Sequence, residues 1–259
     1  MSLLTVTGLH KAFGGNKAVD GVDFTLAKGE LLALIGPNGA GKTTLFNLLS
    51  GQLPADRGSI RLAGQELLGR GPRAICRMGV GRTFQIAETF SSLSVLENVQ
   101  MALLAADRRI FSFWRRADAH RSDDALRLLG QVGMQDQAAH TCADLSYGDV
   151  KRVELAMAMA DSPGLLLMDE PTAGMAPAER LALMALTRRW VDQNGSSVLF
   201  TEHSMDVVFA FADRIVVLAE GRVIADGKPQ DVRRDARVQQ VYFGSGKTFE
   251  HTPQPGGGA

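Results

Sequence analysis

A glycine-rich segment supplies the strongest chemical signal in the chain. Residues 36–43 read Gly-Pro-Asn-Gly-Ala-Gly-Lys-Thr, which fits the spacing G-x-x-x-x-G-K-[ST]. Such glycines let the backbone wrap so that several N–H groups point at one anion, and a helix that follows adds its positive N-terminal end. An apolar run, residues 30–35, precedes the segment, and a helical stretch, residues 42–49, follows it. The segment therefore predicts a loop that binds the phosphates of a nucleoside triphosphate.

Within this phosphate loop the residue types indicate separate tasks. The ammonium of Lys42 is expected to reach the β- and γ-phosphates, and the hydroxyl of Thr43 to ligate Mg²⁺. The other residues expected to bind the nucleotide are Asn38, Gly39, Ala40, Gly41 and Thr44. A second glycine-rich stretch, residues 244–247, also ends in lysine, but no strand pattern precedes it and no helix pattern follows. We therefore do not expect that stretch to bind phosphate.

Two adjacent acids offer a metal ligand and a general base. Asp169 and Glu170 directly follow the apolar run of residues 165–168. Ligands of parallel sheets bind at the carboxyl ends of the strands, which is where these acids fall. Asp169 is expected to hold Mg²⁺ directly or through water, and Glu170 to polarise an attacking water.

Short apolar runs and helical patterns must position these groups. Strands are predicted at residues 3–7, 22–26, 30–35, 58–62, 78–84, 165–168, 197–201 and 214–219, the last paired in a hairpin with 222–225. A helical block is predicted over roughly residues 86–160. It begins with a capping box at Ser94 and Glu97, whose helix runs to about residue 106, and includes helices over 123–132 and 149–160. A further helix is predicted over 178–191.

Composition limits the possible classes. The 259 residues include 28 Lys plus Arg and 28 Asp plus Glu, so the formal net charge is zero. A non-specific nucleic-acid binder usually has a basic excess, so this balance argues against one. Two cysteines, Cys76 and Cys142, are too few for a disulfide scaffold and do not have zinc-site spacing. No run reaches the roughly 18 apolar residues of a membrane span, and no secretory signal is recognisable.

Five motifs in one order resemble the ATP-binding cassette (ABC) transporter ATPases. They are the phosphate loop, Gln85, the segment Leu-Ser-Tyr-Gly-Asp at 145–149, residues 165–170, and His203. The resemblance covers about residues 3–243. It implies an α/β fold of the P-loop NTPase type: a RecA-like core with a mostly parallel sheet, an N-terminal antiparallel β part and an inserted helical subdomain.

The same resemblance implies the division of the chain. Residues 1–244 would form one ABC ATPase domain, with the nucleotide core at about 1–85 and 161–244 and the helical subdomain at about 86–160. Residues 245–259, which are polar and rich in Gly and Pro, are expected to form a flexible tail.

Cassettes of this family dimerise head to tail around two ATP molecules, which implies roles for the signature segment at 145–149. Ser146 and Gly148 would contact the γ-phosphate bound by the partner. Tyr147 stands where the family usually has Gly, and Asp149 where it usually has Gln. A carboxylate at 149 suits the start of a helix but would stand near the partner's γ-phosphate.

Four further residues take roles from the family pattern. Gln85 would link Mg²⁺ and the nucleophilic water to the membrane subunit, and His203 would hold the γ-phosphate and the water. Phe13 would stack on adenine, with Val19 beside it. Ala176 stands where the family's dimer-contact loop usually has Asp or Asn.

Within the family the chain is similar to the longer ATPase of branched-chain (hydrophobic) amino acid importers. This likeness rests on residues 11–24 (KAFGGNKAVDGVDF), 82–85 (RTFQ), 173–177 (AGMAP) and 241–244, and on a long loop with Phe111, Phe113 and Trp114. It implies a peripheral ATPase on the cytoplasmic face of the inner (plasma) membrane. Its partners would be permease subunits, a second ATPase subunit (a paralogue, or a second copy) and, indirectly, a periplasmic or surface solute-binding protein, with no nucleic acid.

Three alternatives remain at this point. The chain could serve an importer of urea or another small polar solute, or be a soluble ABC ATPase outside transport. A P-loop kinase for small molecules is disfavoured by the signature segment and His203. The basic stretch at residues 108–121 fits either a contact with the permease or acidic lipid, or a solvated loop.

Changing Lys42 to Ala tests the phosphate loop. Charge-assisted hydrogen bonds contribute about 1.5–3 kcal/mol, so Lys42→Ala should weaken ATP binding by roughly ten- to a hundredfold. A fluorescent ATP analogue measures the affinity. Lys247→Ala, at the end of the second glycine-rich stretch, is the control and should bind as the parent does. Unchanged affinity in Lys42→Ala would contradict the loop assignment.

Overall fold

A computed structural model describes residues 2–83, 89–107 and 121–243. Its first sheet is antiparallel, in the order β2-β1-β4-β5. The strands are β1 (Ser2–Phe13), β2 (Asn16–Ala27), β4 (Arg57–Leu62) and β5 (Gln65–Glu66). β1 and β2 have 12 residues each, longer than the predicted strands. Register shifts along the pair interrupt the apolar alternation by which the sequence pattern marks a strand, so the prediction stopped early.

The second sheet has six strands in the order β10-β9-β3-β8-β7-β6. The pairs from β9 to β6 are parallel, and β10 is antiparallel to β9. Its strands are β3 (Leu31–Ile35), β6 (Val80–Thr83), β7 (Leu165–Asp169), β8 (Ser197–Thr201), β9 (Arg214–Ala219) and β10 (Arg222–Gly227). The mostly parallel sheet and the antiparallel N-terminal part are thus both present.

Nine α-helices lie in the described residues. They are α1 (Lys42–Leu49), α2 (Pro72–Arg77), α3 (Val95–Ala106), α4 (Ser122–Val132), α5 (Tyr147–Met159), α6 (Pro177–Asn194), α7 (Met205–Phe211), α8 (Pro229–Arg234) and α9 (Ala236–Phe243). The capping box at the start of α3 is confirmed, because Ser94 Oγ accepts from Glu97 N and Glu97 Oε2 accepts from Ser94 N. The short helices α2, α7, α8 and α9 were not predicted, because they have at most eight residues and, unlike α1, follow no motif that indicates a helix.

The six-stranded sheet is buried on both faces. Leu31, Ala33 and Ile35 of β3 belong to a core shared with helices α3–α6. Leu32 and Leu34 point the other way, into a core shared with α1 and the antiparallel sheet. Side chains alternate along a strand, so a strand covered on both sides has to be apolar throughout. This explains the continuous apolar runs of β3, β7 and β8.

Parallel pairing brings the predicted chemical groups to one edge of the sheet. β3, β8 and β7 are neighbours, and Thr201 at the end of β8 is the register partner of both Leu34 and Asp169. The phosphate loop leaves β3 at this edge, and Asp169 ends β7 there. The site therefore forms where the carboxyl ends of three adjacent strands meet.

Several predictions fall outside the described residues. They concern Gln85, most of the basic stretch at 108–121, and the tail at 245–259. Within the described ranges, none of the helices combines the length and the apolar character that crossing a bilayer requires.

Candidate active site

A pocket of about 690 Å³ lies at the carboxyl edge of the parallel sheet. The phosphate loop and the start of α1, residues 38–44, line it together with Glu170 and His203. The antiparallel hairpin contributes Phe13 at one end. Residues that the sequence pattern did not single out also line it, namely Asn16, Lys17, Ala18 and Glu220. Groups predicted from four separate segments thus share one cavity.

Two glycines allow the loop to pass against neighbouring backbone. A Cβ on Gly36 would lie 2.1 Å from the carbonyl oxygen of Leu218, and one on Gly41 would lie 2.1 Å from that of Ala18. Gly41 also has φ 101°, in the region that favours glycine, and it is the N-cap residue of α1. Any side chain at these positions would displace the loop from β2 and β9.

Lys42 is almost buried, with 7% of its surface exposed. Its Nζ donates to the carbonyl oxygens of Gly36 (2.6 Å) and Pro37 (3.1 Å). Burial lowers the pKa of Lys42, and the nearby charges of Glu170 and Asp169 oppose that decrease. The ammonium thus holds the phosphate loop through two of its carbonyl oxygens, and the charges of Glu170 and Asp169 favour its protonated form.

Asp169 is held at both carboxylate oxygens. The hydroxyl of Thr201 donates to Oδ1 at 2.8 Å, and Nη2 of Arg82 lies 3.5 Å from Oδ2. Arg82 is itself anchored on and beside α1, where its Nη1 donates to Asn47, Ser50 and Gln52. Asp169 as a whole is only 8% exposed, so these two contacts determine the orientation of its carboxylate.

Glu170 has a strained backbone and a histidine partner. Its φ of 48° lies in the left-handed region, which costs a residue with a side chain about 1–2 kcal/mol. Its N–H donates to Thr201 Oγ1 at 3.0 Å, and its Oε1 lies 2.8 Å from Nε2 of His203. The predicted base and the predicted histidine therefore meet in the pocket. Strain of this kind is concentrated at functional sites.

The donor set suits a hard divalent cation. Within residues 2–83, 89–107 and 121–243 no group of three or more His, Cys, Asp or Glu could hold a metal. Magnesium is usually held by one or two protein oxygens together with phosphates and water. The hydroxyl of Thr43 and the carboxylate of Asp169 are oxygen donors of that kind, so the residues present fit the predicted ion.

The signature segment forms the start of α5. Ser146 is the N-cap residue: its Oγ accepts from Asp149 N (3.2 Å) and donates to Asp149 Oδ2 (2.8 Å). Gly148 is buried, and a Cβ there would lie 3.0 Å from Glu179 Oε1. Tyr147 is 46% exposed and its ring lies beside Gly174. Neither Ser146 nor Gly148 lines the pocket of its own chain.

The two residues predicted to lie beside the adenine base, Phe13 and Val19, differ in their placement. Phe13 is 48% exposed at the end of β1, with Lys11 Nζ 5.5 Å from its ring centre. Val19 is 1% exposed and belongs to the core rather than to the pocket wall, where Ala18 stands instead. In the 173–177 segment, Ala176 is the N-cap residue of α6, and its N–H donates to Glu179 Oε2.

Thr201 contacts both acids and Arg82 contacts Asp169, although neither was predicted as a site residue. Each is a polar residue within a parallel strand, and Thr201 ends β8 after the apolar Val198, Leu199 and Phe200. A polar residue at the carboxyl end of such a strand is the signal that could have identified Thr201.

Comparison with known proteins identifies relatives over most of the chain. The family described as ABC transporter matches residues 19–173, and one described as branched-chain amino acid ATP-binding cassette transporter matches residues 222–248. The high-affinity branched-chain amino acid transport ATP-binding protein LivG of Escherichia coli (strain K12) is 38% identical, covering 93% of this chain and 98% of that relative. The corresponding BraF of Pseudomonas aeruginosa is 36% identical. The lipopolysaccharide export system ATP-binding protein LptB of Escherichia coli is 33% identical over 94% of this chain.

Solved structures agree with the sequence relatives. A nucleotide-free ATP-binding cassette from an ABC transporter superposes with a TM-score of 0.84 at 28% identity, covering 94% of this chain and all of that one. A cassette of an ABC transporter in its ADP conformation superposes with a TM-score of 0.84 at 29% identity, over 94% of this chain and 99% of its own. The fold is that of the P-loop NTPases, and the chain belongs to the ABC transporter family as one of its ATP-binding, ATP-hydrolysing cassettes.

Proposed function

We propose that the chain hydrolyses MgATP within a head-to-tail dimer and drives import of a small solute, a branched-chain or other hydrophobic amino acid. The observation that carries the ATPase part is the single pocket lined by the phosphate loop, Glu170 and His203. The observation that carries the solute is the likeness to LivG and BraF over nearly the whole chain.

Nucleotide binding rests on residues of the phosphate loop and the hairpin. The backbone N–H groups of 38–44 and the ammonium of Lys42 bind the β- and γ-phosphates. Thr43 and Asp169 would hold Mg²⁺, which when bound neutralises phosphate charge. Phe13 offers an exposed face for stacking on the base.

Hydrolysis rests on Glu170 and His203. Glu170 accepts the proton of the attacking water as general base, and its carboxylate is kept pointing into the pocket by His203. His203 also orients the γ-phosphate and the water. Gln85, which lies outside the described residues, would connect these groups to the permease.

Dimer formation completes the site. Ser146 and Gly148 stand at the start of α5, where free N–H groups and the helix dipole suit the γ-phosphate bound by the partner. The hydroxyl proton of Ser146 is donated to Asp149 in this chain, so binding the partner's phosphate with that proton requires Asp149 to release it. Asp149 thus sets a threshold for closure.

Coupling to transport uses the helical part of the chain. The subdomain at about 86–160, inserted in a domain of residues 1–244, would pass the closing motion to the permease from the cytoplasmic face of the membrane. The second ATPase subunit is a paralogue or a second copy, and the solute-binding protein acts from the other side. The likeness to LptB makes an export ATPase the second candidate.

Removing the gene from its host tests the transport assignment. Uptake of radiolabelled leucine, isoleucine and valine should fall about tenfold or more, while uptake of urea stays at the parental level. The wild-type chain should restore uptake, and Glu170→Gln should not. Unchanged uptake of all three amino acids overturns this solute class, and a selective loss of urea uptake would assign the polar solute instead.

Replacing Glu170 with Gln tests the hydrolytic role. The amide cannot accept a proton, so kcat should fall by roughly a hundredfold or more, in line with the 10²–10⁴ that general bases contribute. ATP affinity should stay within about threefold, and sedimentation with ATP should show a longer-lived dimer. Asp136→Asn, which removes an exposed carboxylate outside the pocket, is the matched control. Near-normal hydrolysis in Glu170→Gln removes this residue from the base role.

Shortening Phe13 tests the base contact. Stacking of an aromatic side chain on a base contributes about 1–3 kcal/mol, so Phe13→Ala should weaken ATP binding roughly tenfold. Phe13→Tyr keeps the ring face and should bind as wild type does. Phe90 is similarly exposed and does not line the pocket, so Phe90→Ala is the matched control, measured by the same fluorescence titration. Equal affinities for Phe13→Ala and Phe90→Ala would contradict stacking.

A further inference from the structure

Thr201 is a buried polar residue at the end of an apolar strand. It is the last residue of β8 and has no exposed surface. Its register partner on β7 is Asp169, so the two side chains leave the sheet side by side. A buried hydroxyl is costly unless it is hydrogen-bonded. Both of its hydrogen bonds are made to the two predicted acids.

The hydroxyl joins those acids in a fixed direction. Glu170 N donates to Thr201 Oγ1 at 3.0 Å, and Thr201 Oγ1 donates to Asp169 Oδ1 at 2.8 Å. A hydroxyl has one proton and two acceptor lone pairs. The backbone N–H can only donate, so the hydroxyl proton is directed to the carboxylate. One atom of Thr201 therefore ties the main chain of Glu170 to the side chain of Asp169.

The bond to Glu170 is made where its backbone is strained. Glu170 has φ 48°, and such a conformation persists only where the surroundings determine it. Its N–H is the group that Thr201 accepts, so this contact helps to hold that backbone angle. The angle sets the direction in which the Glu170 side chain enters the pocket, where it meets His203.

The bond to Asp169 completes the hold on a carboxylate. Arg82 lies 3.5 Å from Oδ2 and donates hydrogen bonds to Asn47 of α1 and to Ser50, the residue that follows this helix. With Oδ2 facing Arg82 and Oδ1 bonded to Thr201, rotation of the carboxylate about its Cβ–Cγ bond would break a contact. The orientation of this predicted metal ligand is thus set from two different elements.

We propose that Thr201 is a positioning residue for ATP hydrolysis, whose hydroxyl holds Asp169 and Glu170 in their working arrangement. This inference rests on the proposed ATPase function of the same pocket. Thr201 need not touch the nucleotide and does not line the pocket. Losing its hydroxyl should impair the chemical step and the metal affinity more than the affinity for ATP.

The same strand offers a matched control. Ser197, at the other end of β8, is equally buried, and its hydroxyl accepts from Gly29 N (2.9 Å) and donates to Ala27 O (3.0 Å). Ser197→Ala therefore deletes a buried hydroxyl that also accepts from one backbone N–H and donates one bond, here to a backbone carbonyl, at the end of the strand away from the acids. Thr201→Val keeps the shape of the side chain and removes its hydroxyl, while Thr201→Ser keeps the hydroxyl and removes only the methyl.

Three measurements on the full chain separate positioning from stability. For Thr201→Val, kcat should fall roughly tenfold or more, because small misplacements of reacting groups cost up to about a hundredfold. KM for ATP should stay within about threefold. Mn²⁺ affinity, measured by electron paramagnetic resonance with a saturating non-hydrolysable ATP analogue, should fall about fivefold. In Thr201→Ser, kcat, KM and Mn²⁺ affinity should all lie within about threefold of the wild-type values. The same should hold for Ser197→Ala.

The outcomes distinguish a positioning role of Thr201 from a purely structural one. A Thr201→Val chain whose kcat and Mn²⁺ affinity match those of Ser197→Ala overturns the inference, whatever its melting temperature. A tenfold loss of kcat in Thr201→Ser also overturns it, because the hydroxyl is still present. If Thr201→Val does not fold, Thr201→Ala removes the same hydroxyl and takes its place. A wild-type chain that hydrolyses no ATP, either alone or together with its second ATPase subunit, would refute the proposed function itself. An active wild type with an unaffected Thr201→Val refutes only this inference.

Discussion

The site depends on the parallel pairing of β3, β8 and β7. These three strands end at one edge of the sheet. The loop after β3, the acids at the end of β7 and the histidine after β8 are therefore brought together by strand pairing alone. A shift of one residue between β7 and β8 would move Asp169 to the opposite face and away from Thr201. The apolar alternation that fills the two cores resists such a shift. Packing of the two cores thus fixes the strand register, and the register fixes the relative positions of the site residues.

The parts of the fold that the sequence predicts are those with a local physical signal. The glycine spacing at 36–43, the capping box at Ser94 and the apolar strands over 197–201 and 214–219 each act within a few residues, and the structure has them where they were expected. The bulged hairpin β1–β2 was predicted too short, because bulges break the alternation. The helices α2 and α7–α9 are too short to show a period of their own.

The candidate site divides in the same way. The phosphate loop, Glu170 and His203 share one pocket, as their motifs suggest. Contacts between strands distant in sequence could not be anticipated: the two bonds of Thr201 and the approach of Arg82 to Asp169 follow from strand order. Val19 shows the converse, since a residue chosen by its place in a motif is turned into the core while Ala18 lines the pocket. The position of a residue along a strand predicts the edge of the sheet near which it lies. Which way its side chain points depends on the register between strands, which the sequence does not show.

The contacts of Lys42 make nucleotide binding an exchange as well as an addition. Two of the three ammonium protons are already donated to the carbonyl oxygens of Gly36 and Pro37. One proton remains for an incoming oxygen unless the loop gives up a bond of its own. A small anion with few other contacts recovers little of that loss, whereas a polyphosphate that also meets the loop amides recovers much more. The carbonyl oxygens of Gly36 and Pro37 therefore compete with a phosphate oxygen for the protons of Lys42, and a nucleotide, with its additional contacts, offsets that competition better than free inorganic phosphate does.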